Sequence, residues 1–84
     1  TITSSIELAV HGIRVNCVRP GYNVFPERMP EAHRQHHRDQ VPLGKAEGTP
    51  LDIAQANLFL AESARYCTGT FIDVDGGLRH KPIL

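Results

Sequence analysis

The feature that most constrains this chain is a pair of short, β-branched runs, Ile13 to Val18 and Thr70 to Val74, with a helical pattern between them. IRVNCV alternates apolar residues with Arg14 and Asn16 before Arg19-Pro20-Gly21 breaks it, and TFIDV runs from Thr68-Gly69 to Asp75-Gly76-Gly77. A strand, a helical crossover and a second strand predict a parallel βαβ unit. Two strands leave edges and faces uncovered, so the unit is expected to belong to a larger sheet. The length of 84 residues points the same way, to one small domain or a piece of one.

Around these strands the punctuation is clear. Thr1 to Val10 places Ile2, Ile6 and Ala9 near helical spacing, and His11-Gly12 stops it, as at the end of an amphipathic helix. Because Thr1 falls inside that pattern, the start is read as a cut. Tyr22 to Met29 has no period and carries Pro26, which predicts a loop. Pro30 to Gln40, PEAHRQHHRDQ, is a polar helix with Pro at its first position and almost no apolar stripe, expected as a mobile surface lid. Thr49, Pro50 and Asp52 read as N-cap, N1 and N3 of another helix, whose apolar set Ile53, Ala54, Ala56, Leu58, Phe59, Leu60 and Ala61 suits packing on a sheet.

Charge and composition exclude several partners. Nine Lys plus Arg balance nine Asp plus Glu, so no net field draws the chain to nucleic acid or a membrane. No run is long enough to span a bilayer, and a cytoplasmic, soluble protein is expected. Cys17 and Cys67 sit in apolar stretches and are expected as buried thiols in a reducing compartment, not as a disulfide. His33, His36 and His37 share one helical face, a spacing compatible with metal ligands, yet Arg34 and Arg38 disfavour a cation there. They are assigned to a solvated lid, with no metal. Asp73 and Asp75 carry no paired-acid pattern and are assigned structural roles. Tyr66 has Thr, not Lys, four residues later and is assigned to core or interface packing.

Four segments, GIRVNCVRPG (12–21), VPLGK (41–45), TPLDIAQANLFLAES (49–63) and YCTGTFIDVDGG (66–77), together resemble the last third of the short-chain dehydrogenases/reductases, in the same order and spacing. The resemblance implies an α/β fold: residues 1–84 as the C-terminal fragment of a Rossmann-type doubly wound parallel sheet, with 21–45 as the substrate lid region. It implies an NAD(P)-dependent oxidoreductase, with NADP as the expected cofactor and NAD open. In such a fold ligands bind beyond the carboxyl ends of the strands. Pro20-Gly21 is therefore expected to abut the nicotinamide, Gly21 letting the backbone come close to the ring, with Tyr22 and Asn23, and then Val24, lining the cofactor. Val24 and Phe25 are expected to face the substrate. Family members commonly carry Thr four residues after this Gly for the cofactor phosphates, whereas Phe25 stands here.

Asn23 and the stretch MPEAHRQHHRDQVPLGK resemble the pteridine reductase branch of that family. Phe25 then either packs on a flat substrate ring or serves loop packing. The family's proton donor is a Tyr paired with a Lys in Tyr-x-x-x-Lys, and the resemblance places it about two helical turns upstream of Thr1. That motif and the glycine-rich phosphate loop do not occur in this sequence. No catalytic residue is assigned here, and the 84 residues alone are expected to be inactive. The expected partners are the missing N-terminal part of the same enzyme, a small-molecule substrate and further copies in a tetramer or dimer. The alternative is a truncated interaction module that associates with full-length subunits.

Overall fold

A computed structural model describes residues 1–80. In chain order these form α1 (Ile2–Ala9), β1 (Cys17–Pro20), α2 (Glu31–Asp39), α3 (Pro50–Leu58) continuing into one π-helical turn (Phe59–Ser63), β2 (Phe71–Val74) and a 3₁₀ turn (Leu78–His80). β1 and β2 pair in parallel, Cys17 opposite Phe71 and Pro20 opposite Val74, and α3 crosses over against both strands. This is the expected α/β crossover of a Rossmann-type sheet.

The first strand departs from its expected bounds. It begins at Cys17 rather than Ile13 and takes in Pro20, which the sequence places in a strand-breaking turn. Upstream, side chains replace the backbone ladder: Asn16 donates through Nδ2 to Cys67 O (3.1 Å) and accepts at Oδ1 from Thr70 N–H (2.9 Å). Pro20 is tolerated because of where its missing N–H falls. Cys17 N–H bonds Thr70 O (2.9 Å) and Gly21 N–H bonds Val74 O (3.0 Å), so odd-numbered residues donate toward β2 and position 20 faces the other edge.

Thr49 caps α3 as expected. Its hydroxyl accepts from Asp52 N–H while the Asp52 carboxylate accepts from Thr49 N–H (2.7 Å), with Pro50 at the first position. Inward on this segment lie Ile53 and Ala56, half-buried, and Leu60, buried, at i, i+3 and i+7; Leu58 and Phe59 of the predicted apolar set are exposed. Arg14 closes its end. The guanidinium donates to the carbonyls of Leu60 (2.5 Å), Ala64 (2.9 Å) and Ala61 (3.0 Å), which a helix end leaves without intrahelical partners.

On α1 the expected stripe of Ile2 and Ile6 is exposed, and Ser5 is the residue that turns inward. Gly69 passes close to it, at φ +71°, where a Cβ would lie 2.9 Å from Ser5 Oγ. Among the described residues the buried apolar side chains are Val41, Leu60 and Ala64. Cys17 and Cys67 are free thiols, half-buried rather than buried. Among the described residues no helix is long and apolar enough to cross a membrane.

The polar helix α2 buries no side chain, and two arginines hold it in place of an apolar stripe. Arg34 donates to the carbonyls of Met29 (3.1 Å), Pro26 (3.0 Å) and Glu27 (3.2 Å), and Arg38 reaches Glu31 and Glu47. Pro30 is the N-cap rather than the first helical residue, with extended backbone at φ −60° and ψ 148°.

Candidate functional site

The carboxyl ends of β1 and β2 meet in two turns that press on each other. A Cβ at Gly21 would lie 2.7 Å from the Cβ and 2.8 Å from the Cα of Asp75. Glycine is thus required by the end of β2, a reason within the chain that differs from the expected close approach of a cofactor ring. At the facing turn Gly76, at φ +62°, has no room for a side chain either, since a Cβ would meet Val41 Cγ1 at 2.6 Å. Leu43 N–H bonds Gly76 O (2.9 Å), so the segment after α2 is seated on this turn.

Asp75 organises the second turn. Its carboxylate accepts from the N–H groups of Gly77 (3.0 Å) and Arg79 (3.1 Å), with the Arg79 guanidinium 3.7 Å away. Burial pushes the carboxyl pKa up, but the Gly77 and Arg79 N–H bonds and the Arg79 charge outweigh it, leaving Asp75 below the ordinary value. Asp73, opposite Arg19 in the ladder, pairs with it at 2.6 Å and with Arg79 at 3.3 Å. Both aspartates are thus occupied in holding the sheet end.

Two open clefts flank these turns. One of about 350 Å³ is lined by Pro20, Gly21, Tyr22, Asp75, Leu78 and Arg79. The other, of about 340 Å³, includes Tyr22, Glu47, Asp52, Val74 and Asp75 in its wall. Pro20, Gly21 and Tyr22, three of the residues expected at the cofactor, line the first cleft. Asn23 turns toward α3, its Nδ2 donating to Thr49 O (2.8 Å) while Gly48 N–H donates to Tyr22 O (2.9 Å). Val24 is exposed, and Phe25 folds back toward Tyr22, ring centroids 5.9 Å apart. The backbone N–H groups of Tyr22, Asn23 and Val24 donate to no acceptor among the described residues.

The histidines of α2 divide between two environments. His37 sits against Tyr22 (centroids 4.8 Å apart) and stacks on Phe25 (6.0 Å), and its buried Nδ1 has no hydrogen-bond partner among the described residues. His36 instead shares a hydrogen bond between its Nε2 and Gln40 Nε2 (2.9 Å). Among the described residues no three His, Cys, Asp or Glu side chains gather as a metal site.

Arg38 ties this aromatic group to its surroundings. Its Nε lies 3.1 Å from both oxygens of Glu47, its Nη1 donates to Glu31 Oε1 (2.7 Å), and its guanidinium stands 5.7 Å from the Phe25 ring. The bonds to Glu31 and Glu47 raise the Arg38 pKa; a backbone hydrogen bond and then Arg38 hold Glu47 below its ordinary value against some desolvation. Sequence reading missed Arg14, Asn16 and the Arg38–Glu47 pair, because their partners are separated by loops that no local period connects. Asp75 was legible in part, since Asp-x-Gly is a recognised side-chain-to-backbone turn.

Comparison with known proteins places this arrangement. The family model described as enoyl-(acyl carrier protein) reductase matches residues 2–79. A 3-oxoacyl-(acyl-carrier-protein) reductase of Thermotoga maritima is 44% identical over 93% of this chain and 32% of its own length. Pteridine reductase 1 of Leishmania tarentolae is 40% identical over 92% of this chain and 27% of its own. A (3R)-3-hydroxyacyl-CoA dehydrogenase of Mus musculus is 42% identical over 93% and 31% respectively. The chain thus spans about a third of the length of these relatives. With the parallel crossover, the Pro20-Gly21 turn and the family match all coinciding over residues 2–79, the chain belongs to the short-chain dehydrogenase/reductase family.

Proposed function

We propose that this segment is the C-terminal part of an NAD(P)H-dependent oxidoreductase, contributing the nicotinamide-side turn and the substrate lid. The observation that carries the reading is the turn after β1, where Tyr22, Asn23 and Val24 present backbone N–H donors with no acceptor among the described residues, beside a cleft at the carboxyl end of the sheet. Such donors fit the carboxamide of a nicotinamide. When bound, that ring supplies hydride to a carbonyl, imine or similar double bond. Pro20 and the Gly21–Asp75 contact fix the turn, so the donors are set before a ligand arrives. The lid, Pro30 to Gln40, stands beside the cleft that Tyr22 lines and is suited to excluding water from it. The proton donor and phosphate loop are assigned to polypeptide outside these residues.

For the substrate we favour a flat heteroaromatic ring such as a pteridine. Tyr22 lines both clefts and packs with Phe25 and His37 in one aromatic group, so a flat ring entering either cleft would meet an aromatic surface backed by two further rings. The relatives named for 3-oxoacyl and hydroxyacyl thioesters are as similar as the pteridine reductase, so an acyl thioester is the competing substrate. The interaction-module alternative has less support, because the family match runs through the cofactor-side turn and lid. The test is oxidation of the reduced nucleotide by the full-length polypeptide carrying this segment, followed by its absorbance. NADPH consumption with a dihydropterin or pterin is the expected result. Consumption with only 3-oxoacyl thioesters overturns the pteridine assignment, and none with any carbonyl substrate overturns the oxidoreductase reading.

A further inference from the structure

We infer that Arg38 is a positioning residue that latches the lid helix to the nicotinamide-side turn, acting through Glu47, Glu31 and Phe25. The inference rests on the lid reading above. Helix α2 buries no side chain of its own, so its seat on the molecule cannot come from an apolar stripe. Arg38 is instead the point where three separate stretches converge: Glu31 on the first turn of α2, Glu47 on the loop leading to α3, and the Phe25 ring from the loop after β1. The Arg38 side chain is 22% exposed and that of Glu47 27%, against 70% for Glu31, so the contact with Glu47 is the more sheltered of the two.

The neighbouring residue gives this latch a consequence at the site. His37 immediately precedes Arg38 on α2, stacks on Phe25 and lies tilted against Tyr22, and Tyr22 and Glu47 line the same cleft. Releasing Arg38 therefore frees the helix that carries one ring of this aromatic group and removes the cation that braces another. Nε of Arg38 meets both Glu47 oxygens at 3.1 Å while Nη1 of the same rigid guanidinium reaches Glu31, and a single ammonium has no second nitrogen held at that spacing, so Arg38→Lys should restore the latch only in part.

The experiment compares the full-length polypeptide with its Arg38→Gln, Arg38→Lys and Glu47→Gln variants by amide hydrogen exchange and by steady-state kinetics. Exchange of residues 31–39 without ligand should rise about ten-fold in Arg38→Gln and less in Arg38→Lys, as expected for losing a small network of partly exposed charged bonds. The substrate KM should rise by a similar factor while the nucleotide KM and thermal midpoint stay near wild type. Unchanged exchange in 31–39 overturns the latch, whether or not the enzyme turns over. Faster exchange with an unchanged substrate KM, or with both KM values rising together, makes Arg38 a structural residue only and equally overturns it. A wild type inactive toward every substrate would refute the oxidoreductase reading while leaving the exchange result to decide the latch.

Discussion

At the scale of single residues, Gly21 and Asp75 decide the geometry of the sheet end. Gly21→Ala would drive a Cβ to within 2.8 Å of the Asp75 backbone, which cannot move aside as a flexible side chain could. The expected cost is about 1–3 kcal/mol of stability by urea denaturation of the full-length polypeptide. Asp75 has a folded-state pKa below its ordinary value, so between the two the unfolded chain binds more protons and stability rises with pH. Its contribution is complete above the ordinary carboxylate range and is lost as pH falls through the folded value. Asp75→Asn should flatten that acid limb of the stability curve; an unchanged limb would show that the carboxylate is not responsible. The Pro20-Gly21 turn and the Asp-Gly-Gly turn were legible in the sequence as turns, but their mutual contact was not. Residues 54 positions apart carry no local record of a 2.7 Å approach.

At the scale of elements, the capping box of α3 and the second strand follow their sequence signals closely, because capping and β-branched alternation act within a few residues. The first strand does not, because Asn16 and Thr68 supply side-chain bonds where the alternation of IRVNCV suggests a ladder. Arg14, read as the polar member of that alternation, instead closes the end of the α3 and π-turn segment. Arg14→Ala should remove the donor from the carbonyls of Leu60 and Ala61, Ala64 O keeping its bond from Cys67 N–H, and cost about 1–3 kcal/mol, measured by thermal denaturation, with Arg14→Lys recovering only part of the loss. No change in midpoint on removing Arg14 would mean that water caps these carbonyls equally well. Helix α2 was legible as polar and superficial; its anchorage by Arg34 and Arg38 was not, since a charge on a helix face does not announce its distant partner.

At the scale of the whole molecule, the described residues bury three apolar side chains while eleven large ones, among them Ile2, Ile6, Leu58 and Phe59, remain exposed. That balance is unfavourable for an independent domain and agrees with a segment matching about a third of its relatives' length. An 84-residue polypeptide of this sequence is expected to bind an apolar dye such as anilinonaphthalene sulfonate strongly, and the full-length polypeptide weakly; equal weak binding would show that the segment covers its own surface. The α/β class and the family were legible through four motifs in register, whereas the aromatic group of Tyr22, Phe25 and His37 depends on α2 lying against the turn after β1, which no local pattern announces. The central claim is that this turn receives the nicotinamide. Amide chemical shifts of the isotope-labelled full-length polypeptide test it directly. On titration with NADPH or NADH, the Tyr22, Asn23 and Val24 amides should shift saturably while those of Thr68 and Thr70, at the opposite end of the strands, stay in place. If all five amides remain unmoved at saturating concentrations of both nucleotides, the account is contradicted.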